Sequence, residues 1–401
     1  MSDASATVPG SGRPRNALLF ALAVLVIYGA ALVFTGGLSQ SLYKDEKHNW
    51  STTLRFVDYQ VPPTLEELRT YPEVVTPLSY IIWSGIEDVT HAGIRAGRGL
   101  EFVLSLGLLA IIAGRRRPDD TALLCGVGLL LYPYLLPLSI HLYTDVLAAF
   151  LGLAGLAFYS HRRFAVAAVF LALAIATRQY LLALATGLAV WALIERLRGR
   201  ASATLWIAPT AAAATIFGWF WVFGGLGPPS GIDKWVPLFP APMMEVLRVI
   251  PEYGMYSLTL IGAYFVVPEF LLFRRWRDPL GITPRRLIVT AALLGAAYAL
   301  FPPTSYSVPM GALDRVVRPL ATSDGVRMGF YYLLALTTCL RFQRLDAAFW
   351  IIAVTFAMNM KAQLAWEKYA LPTLVALWYL KSIRSLDGGV FPLARPTEPR
   401  E

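Results

Sequence analysis

The sequence predicts an all-α, polytopic membrane protein with about twelve spans, and three observations carry that expectation. Hydrophobic residues fill 56% of the 401 positions and charged ones only 15%, against about 25% charged in soluble domains. Apolar runs of span length recur from end to end, and mean hydropathy is +0.55. Arginines gather at alternate ends of these runs, as they do where cytoplasmic turns are positive. The net charge of +9 thus orients the chain in a bilayer and implies no nucleic-acid partner. Cys125 and Cys339 both lie inside apolar runs, so no disulfide framework is expected.

Residues 1–16 form a polar tail with Arg13 and Arg15. The apolar run that follows, from about Ala17 to Leu38, is longer than the core of a cleaved signal and counts as a retained first span. The segment 39–93 is then a large outer loop. Within it, Val74 to Asp88 holds Pro77 and ends in Glu87-Asp88, which suits an interfacial helix lying along the outer leaflet. Counting it as a crossing would invert the sidedness of every later arginine cluster. The second span opens at Arg95 and Arg98 and closes before Arg115-Arg116-Arg117. The third covers Thr121 to Ser139, and the fourth runs from the outer turn His141 to Asp145 down to His161-Arg162-Arg163. The fifth, Phe164 to Thr177, ends at Arg178; the sixth returns to Glu195 through Arg200, and the seventh ends at Phe223. Together, 17–223 make one module.

A second module, 224–384, carries outer loops 224–257 and 302–325. The 224–257 loop is rich in Gly and Pro, and the other holds Tyr306, Asp314, Arg315 and Arg318. Spans eight to twelve end or open at Arg274 to Arg277, Arg285-Arg286, Arg341, Lys361 to Lys368, and Lys381 with Arg384. A Pro-rich tail, 385–401, follows, with both termini expected in the cytoplasm.

The outer turns gather acids and arginines beside Tyr and Trp. In Leu42-Tyr43-Lys44-Asp45-Glu46-Lys47-His48-Asn49-Trp50, two adjacent carboxylates follow the first span closely. On an extended segment they point to opposite sides, so one can meet substrate while the other binds structurally. A carboxylate within reach of a hydroxyl can act as general base, which makes Asp45 and Glu46 the catalytic candidates. Asp145 follows Tyr143-Thr144 at the mouth of the fourth span, where Thr144 or Asp145 also suits a helix N-cap. Arg178 is the lone cation of a tight outer turn. It can grip a phosphate through two hydrogen bonds or snorkel to headgroups. His48 has no second His or Cys at ligand spacing, so no metal centre is expected. Glu101 and Glu269 lie in or beside spans, where Arg98 and Arg274 are the expected partners.

On these residues the chain resembles the GT-C superfamily of integral-membrane glycosyltransferases, whose first outer loop holds an Asp-Glu-type motif and an interfacial helix. Within it, the chain is most similar to the dolichyl-phosphate-glucose α-1,2-glucosyltransferase family. Asp45-Glu46-Lys47-His48 is similar to that family's Asp-Glu followed by His, with the His one position early. Val75-Thr76-Pro77-Leu78-Ser79-Tyr80 resembles a Thr-Pro-Pro-Gly-Leu-Tyr segment, lacking one proline and the glycine. Tyr132-Pro133 ahead of Tyr143-Thr144-Asp145 matches an aromatic-Pro pair before Tyr-Thr-Asp. Arg178-Gln179-Tyr180-Leu181 keeps half of an Arg-Gln-Thr-Asn turn. In the second half only Glu367-Lys368-Tyr369 and Pro372 echo an end motif.

The resemblance implies an inverting transferase that moves a sugar, glucose favoured, from a polyprenyl- or dolichyl-phosphate donor to a glycan or lipid-linked acceptor. The site would lie at the extracytoplasmic or lumenal face, with membrane lipids around it and no cofactor or metal beyond the donor substrate. Asp45 would take the acceptor proton. Arg178, with Arg95 or Arg98, would meet the phosphate, and Glu46, Asp145, Tyr143, Gln179, His48 and Tyr80 would surround donor and acceptor. Another GT-C specificity, mannosyl, arabinosyl or protein O-glycosyl, is the nearest alternative. From a different class, a transporter or flippase of lipid-linked saccharides would need acids at mid-membrane and no chemical turnover.

Overall fold

The computed structural model describes residues 13–43, 45–59, 62–114, 119–235, 249–274, 282–303, 311–362, 366–389 and 391–392. Lys44, Arg115-Arg116-Arg117, most of the Pro-rich part of the 224–257 loop, Arg275-Trp276-Arg277, Tyr306 and the ends of both tails lie outside these residues. The fold is 78% helix, with no strand among the described residues. Such a composition lets every backbone polar group of a span bond within its own segment.

In chain order the helices are α1 (Arg13–Phe34), α2 (Glu46–Asp58), α3 (Leu65–Thr70), α4 (Leu78–Thr90), α5 (Ile94–Ala113), α6 (Thr121–Leu130) and α7 (Leu135–Ile140). They continue as α8 (Thr144–Ser160), α9 (Phe164–Thr177), α10 (Leu182–Leu197), α11 (Ala203–Phe223), α12 (Pro229–Trp235) and α13 (Pro251–Ile261). The last six are α14 (Val267–Leu272), α15 (Pro284–Leu300), α16 (Ala312–Leu320), α17 (Asp324–Arg341), α18 (Ala347–Asn359) and α19 (Leu371–Ser382). Five stretches are long and apolar enough to cross a membrane: Arg15–Ser39, Ile94–Ala113, Gln179–Leu197, Ala203–Phe223 and Pro251–Leu272. The last joins α13 to α14 through a π-turn at Gly262–Val266. Large apolar side chains face outward on several of these helices, among them Leu25, Val33, Val103, Phe217 and Trp221. Outward apolar faces suit lipid and not water.

At the centre stand α8 and α19. Every residue of α19 is buried, so its sequence shows no polar face. Its close approach to α6 depends on Gly128, where a Cβ would meet the Trp378 indole at 2.3 Å. At one end of α19 a buried ionic knot ties three helices. Glu269 accepts from Arg341 at 2.7 and 2.8 Å and sits 2.9 Å from Lys381 Nζ, which also holds Asp387. Among the described residues Arg341 and Lys381, and not Arg274, thus form the ion pairs of Glu269. The reason is that both reach inward from neighbouring helices, which no sequence spacing reveals.

Within 39–93 a helix does cover Leu78–Thr90, but Asp45 and Glu46 do not sit on an extended segment. Asp45 is the N-cap of α2, with helical dihedrals of its own, and Glu46 opens that helix. The polar run Glu46–Asp58 escapes a hydropathy reading, because it buries only Thr52, Thr53 and Phe56 besides Glu46. A second small apolar cluster forms here from Phe56, Tyr71, Tyr80, Trp83, Leu142 and Phe223. It seats α2 and α4 over the ends of α5, α8 and α11. The third expected span is broken around Tyr132-Pro133 into α6 and α7, as a residue without an N–H favours.

Candidate active site

Several chain segments converge on one cavity of about 470 Å³, a volume in the range of small-molecule sites. From α2 come Asp45, His48 and Asn49, and Glu73 to Val75 and Tyr80 come from around the start of α4. Tyr143 and Thr144 enter at the start of α8, and Arg178, Gln179 and Tyr180 follow α9. The far half of the chain supplies Asn359, Lys361, Trp366, Lys368 and Tyr369, while Leu182, Ile216, Phe220 and Met358 form an apolar wall. Asp45 and Arg178, expected to meet the acceptor proton and the phosphate, both line this cavity.

The charges that line it, and Asp145 buried just behind, are held in pairs. Asp145 is fully buried; one oxygen faces Arg178 Nη2 at 3.1 Å and the other accepts from Tyr180 Oη at 2.6 Å. It makes no helix cap. The Arg178 guanidinium lies 5.3 Å from the Tyr180 ring and 5.7 Å from the Tyr369 ring. Its buried Nε has no acceptor among the described residues, and an orphaned donor on a cation is costly unless an anion meets it. Arg178 is thus buried against protein groups instead of snorkelling to headgroups, and a second cation, Lys368, joins it at the cavity. Lys368 Nζ lies 3.1 Å from Asp45 Oδ2, 3.9 Å from the Trp366 ring and 4.7 Å from that of Tyr143. Burial holds the Lys368 amine below the ordinary lysine range, against the pull of Asp145 and Asp45. Asp45 is the most open of the four charged groups, with a side chain 34% exposed.

Lys368 owes its place to its neighbour. Glu367 points the other way, where its carboxylate accepts from Tyr256 and Tyr264 hydroxyls at 2.8 Å and from the Leu313 amide. Tyr132 Oη donates to the Glu367 carbonyl at 2.7 Å, which gives the Tyr132-Pro133 break a structural use. Opposite, Glu73 sits 2.9 Å from Lys234 of α12. Gln179 donates to the Val74 carbonyl at 2.9 Å, and Tyr80 to Asn49 Oδ1 at 3.1 Å. These two predicted ligand contacts shape the wall as much as they line it.

Glu46, Arg95 and Arg98 do not line the cavity. Glu46 and Arg98 are both fully buried behind it. Two charge-assisted bonds of 2.8 Å join them, and Glu46 also accepts from the Leu142 and Tyr43 amides at 2.7 and 2.9 Å. Arg98 spends its remaining donors on the Leu38, Gln40 and Ser41 carbonyls, so none is free for a phosphate. This staple pins α2 to α5 and to the 141–142 turn. Arg95 is exposed on α5. Glu101, expected to pair with Arg98, instead accepts from Trp83 Nε1 and the Leu147 amide at 3.1 Å.

Burial of Glu46 opposes its ionisation, but His141, Arg98 and the two amides hold its carboxyl down to about 2, from 4.5 ordinarily. A carboxyl depressed on folding contributes stability that is complete above 4.5 and is lost as pH falls through about 2. The loss expected is on the order of 3 kcal/mol. Denaturation midpoints across that window should fall for the native chain and stay flatter for Glu46→Gln; parallel curves would separate the staple from acid lability.

Among the described residues no three His, Cys, Asp or Glu side chains gather as a metal-holding group. The oxygens of Asp45 and Asp145 instead face Lys368, Arg178 and Tyr180. Lys368, Trp366 and Tyr180 were not among the sequence candidates; the echo at Glu367-Lys368-Tyr369 was the one signal that could have found the first. Comparison with protein-family models, curated proteins and solved structures finds no match to this chain.

Proposed function

We propose that the cavity is the active site of a GT-C-like inverting glycosyltransferase that takes a polyprenyl- or dolichyl-phosphate sugar as donor. The observation that carries this is a pair of buried cations, Arg178 with an orphaned Nε and Lys368, beside a half-open carboxylate, Asp45. In this scheme Asp45 takes the proton of an acceptor hydroxyl as its oxygen attacks the anomeric carbon. The bond from that carbon to the phosphate oxygen breaks on the opposite face. The leaving lipid phosphate gains negative charge, which Arg178 and Lys368 stabilise more in the transition state than in the ground state. The wall of Leu182, Ile216, Phe220 and Met358 offers apolar surface to a prenyl chain.

In the same proposal the five long apolar stretches are joined as spans by α6 with α7, α8, α9, α15, α17, α18 and α19, roughly twelve crossings in all. Both termini then lie in the cytoplasm and the cavity opens at the extracytoplasmic or lumenal face.

The test is mass analysis of products after the purified chain meets a panel of lipid-phosphate sugars and candidate acceptors. Transfer of one sugar with release of lipid phosphate is expected, and glucose is the favoured donor. Movement of intact donor between leaflets with no transfer would replace the enzyme by a flippase. The alkaline limb of the rate profile is a second check. Lys368 carries its charge only below its lowered titration point, so donor use should fall at a pH below that of an ordinary lysine. Lys368→Arg should move that limb upward; an unmoved limb would remove Lys368 from the phosphate.

A further inference from the structure

A second, larger cavity of about 910 Å³ lies between α13, α15, α17 and α18. The α18 helix contributes Phe349, Ile352, Ala353 and Phe356 to it, a stripe at helical spacing along one face. The same helix contributes Met358 and Asn359, its last turn, to the candidate active site. The two cavities are therefore lined by different residues of α18. They are separate sites.

The mouth and the depth of this second cavity differ in chemistry. At the mouth stand Arg285 and Arg286 in the first turn of α15, and Arg344 in the link from α17 to α18. All three are exposed, and no ion pair engages them among the described residues. Among the described residues no acidic side chain lines the cavity. The closest acid in sequence, Asp346, uses its side chain to cap α18 at the Phe349 amide, 3.0 Å away. The α15 N-terminus adds a positive dipole end at the same place. Below the mouth the walls turn apolar. The polar groups among them are engaged within the protein: Thr338 donates to the Leu258 carbonyl at 2.8 Å, and Gln343 donates to Thr290 Oγ1 at 3.3 Å.

We propose that this cleft binds one anionic phospholipid of the surrounding membrane, its phosphate held by Arg285, Arg286 and Arg344 and its acyl chain laid along the α18 stripe. Basic pockets between spans are where anionic headgroups settle, and an apolar cleft at that depth is better filled by hydrocarbon than by solvent. An unlipidated phosphate would satisfy the arginines and leave the stripe bare. A zwitterionic lipid would fill the stripe but bring no net negative charge to the three arginines, its own cation competing for its phosphate. The charge at the mouth and the apolar depth together select a lipid that carries both.

The full-length chain, purified in neutral detergent, would be titrated with phosphatidylglycerol, phosphatidylcholine or inorganic phosphate. Retained lipid is read by native mass spectrometry, and the thermal midpoint is followed in parallel. Phosphatidylglycerol is expected to remain bound and to raise the midpoint, with the other two doing neither. Replacing all three arginines by Gln should weaken retention by roughly tenfold or more. Ala353→Phe, which narrows the depth and leaves the mouth intact, should also displace the lipid. Equal retention of phosphatidylcholine, protection by inorganic phosphate alone, or undiminished retention in both variants would overturn the proposal. None of these readouts requires sugar transfer, so their failure is distinct from failure of the glycosyltransferase reading.

Discussion

Asp45→Asn is expected to lower sugar transfer by roughly 10²- to 10⁴-fold, the usual loss when a general base is removed. The amide keeps the shape of the carboxylate but cannot accept the proton. Its side chain is a third exposed and caps nothing, so the folded state should survive the change. Lys368 would lose the negative charge of Asp45, yet Asp145 still acts on it. The two effects can be told apart by assaying the variant across pH while following its thermal midpoint. A collapsed rate at every pH with an unchanged midpoint is the outcome expected. Normal turnover in the amide variant would remove Asp45 from the mechanism and, with it, the proposed chemistry.

The second large effect belongs to Arg178. Deleting it outright would strand Asp145, a fully buried carboxylate, at a cost of about 3–5 kcal/mol in stability. Arg178→Lys is the sharper probe, since it keeps a positive charge for Asp145 while removing the guanidinium fork and the Nε donor. A point charge matches a phosphate less well than a fork does. Donor kcat/KM should fall by roughly 10- to 100-fold, as expected for about 1.5–3 kcal/mol of lost charge-assisted bonding. The acceptor KM should stay nearly fixed. Unchanged donor kinetics would confine Arg178 to holding Asp145 in place.

The staple of Glu46 and Arg98 shows why adjacent candidates took opposite parts. Next to each other at the head of a helix, Asp45 and Glu46 diverge by the helical turn. One therefore looks into the cavity and the other back into the protein. Which of them faces the cavity depends on where Arg98 sits, fifty-two positions along the chain. Either acid could have been the base on sequence grounds. Only the packing of α5 against the 39–93 segment assigns Glu46 to structure and leaves Asp45 open.

Local physics determined much of this protein by itself. Apolar runs and arginine-marked ends placed the long helices within a few residues, because hydropathy and helical periodicity act over one or two turns. The same short-range logic singled out Asp45, Tyr143, Asp145 and Arg178, polar residues at the mouths of apolar helices; Asp45, Tyr143 and Arg178 line the cavity, and Asp145 lies buried against Arg178. The tertiary structure alone decided what completes it. Lys368 meets Asp45 across 323 positions, and Glu367 with Tyr132, Tyr256 and Tyr264 holds it there. A salt bridge of that span is selected by how helices pack, since burying a charge is tolerable only beside its opposite, and no pattern along the chain records which opposite will arrive.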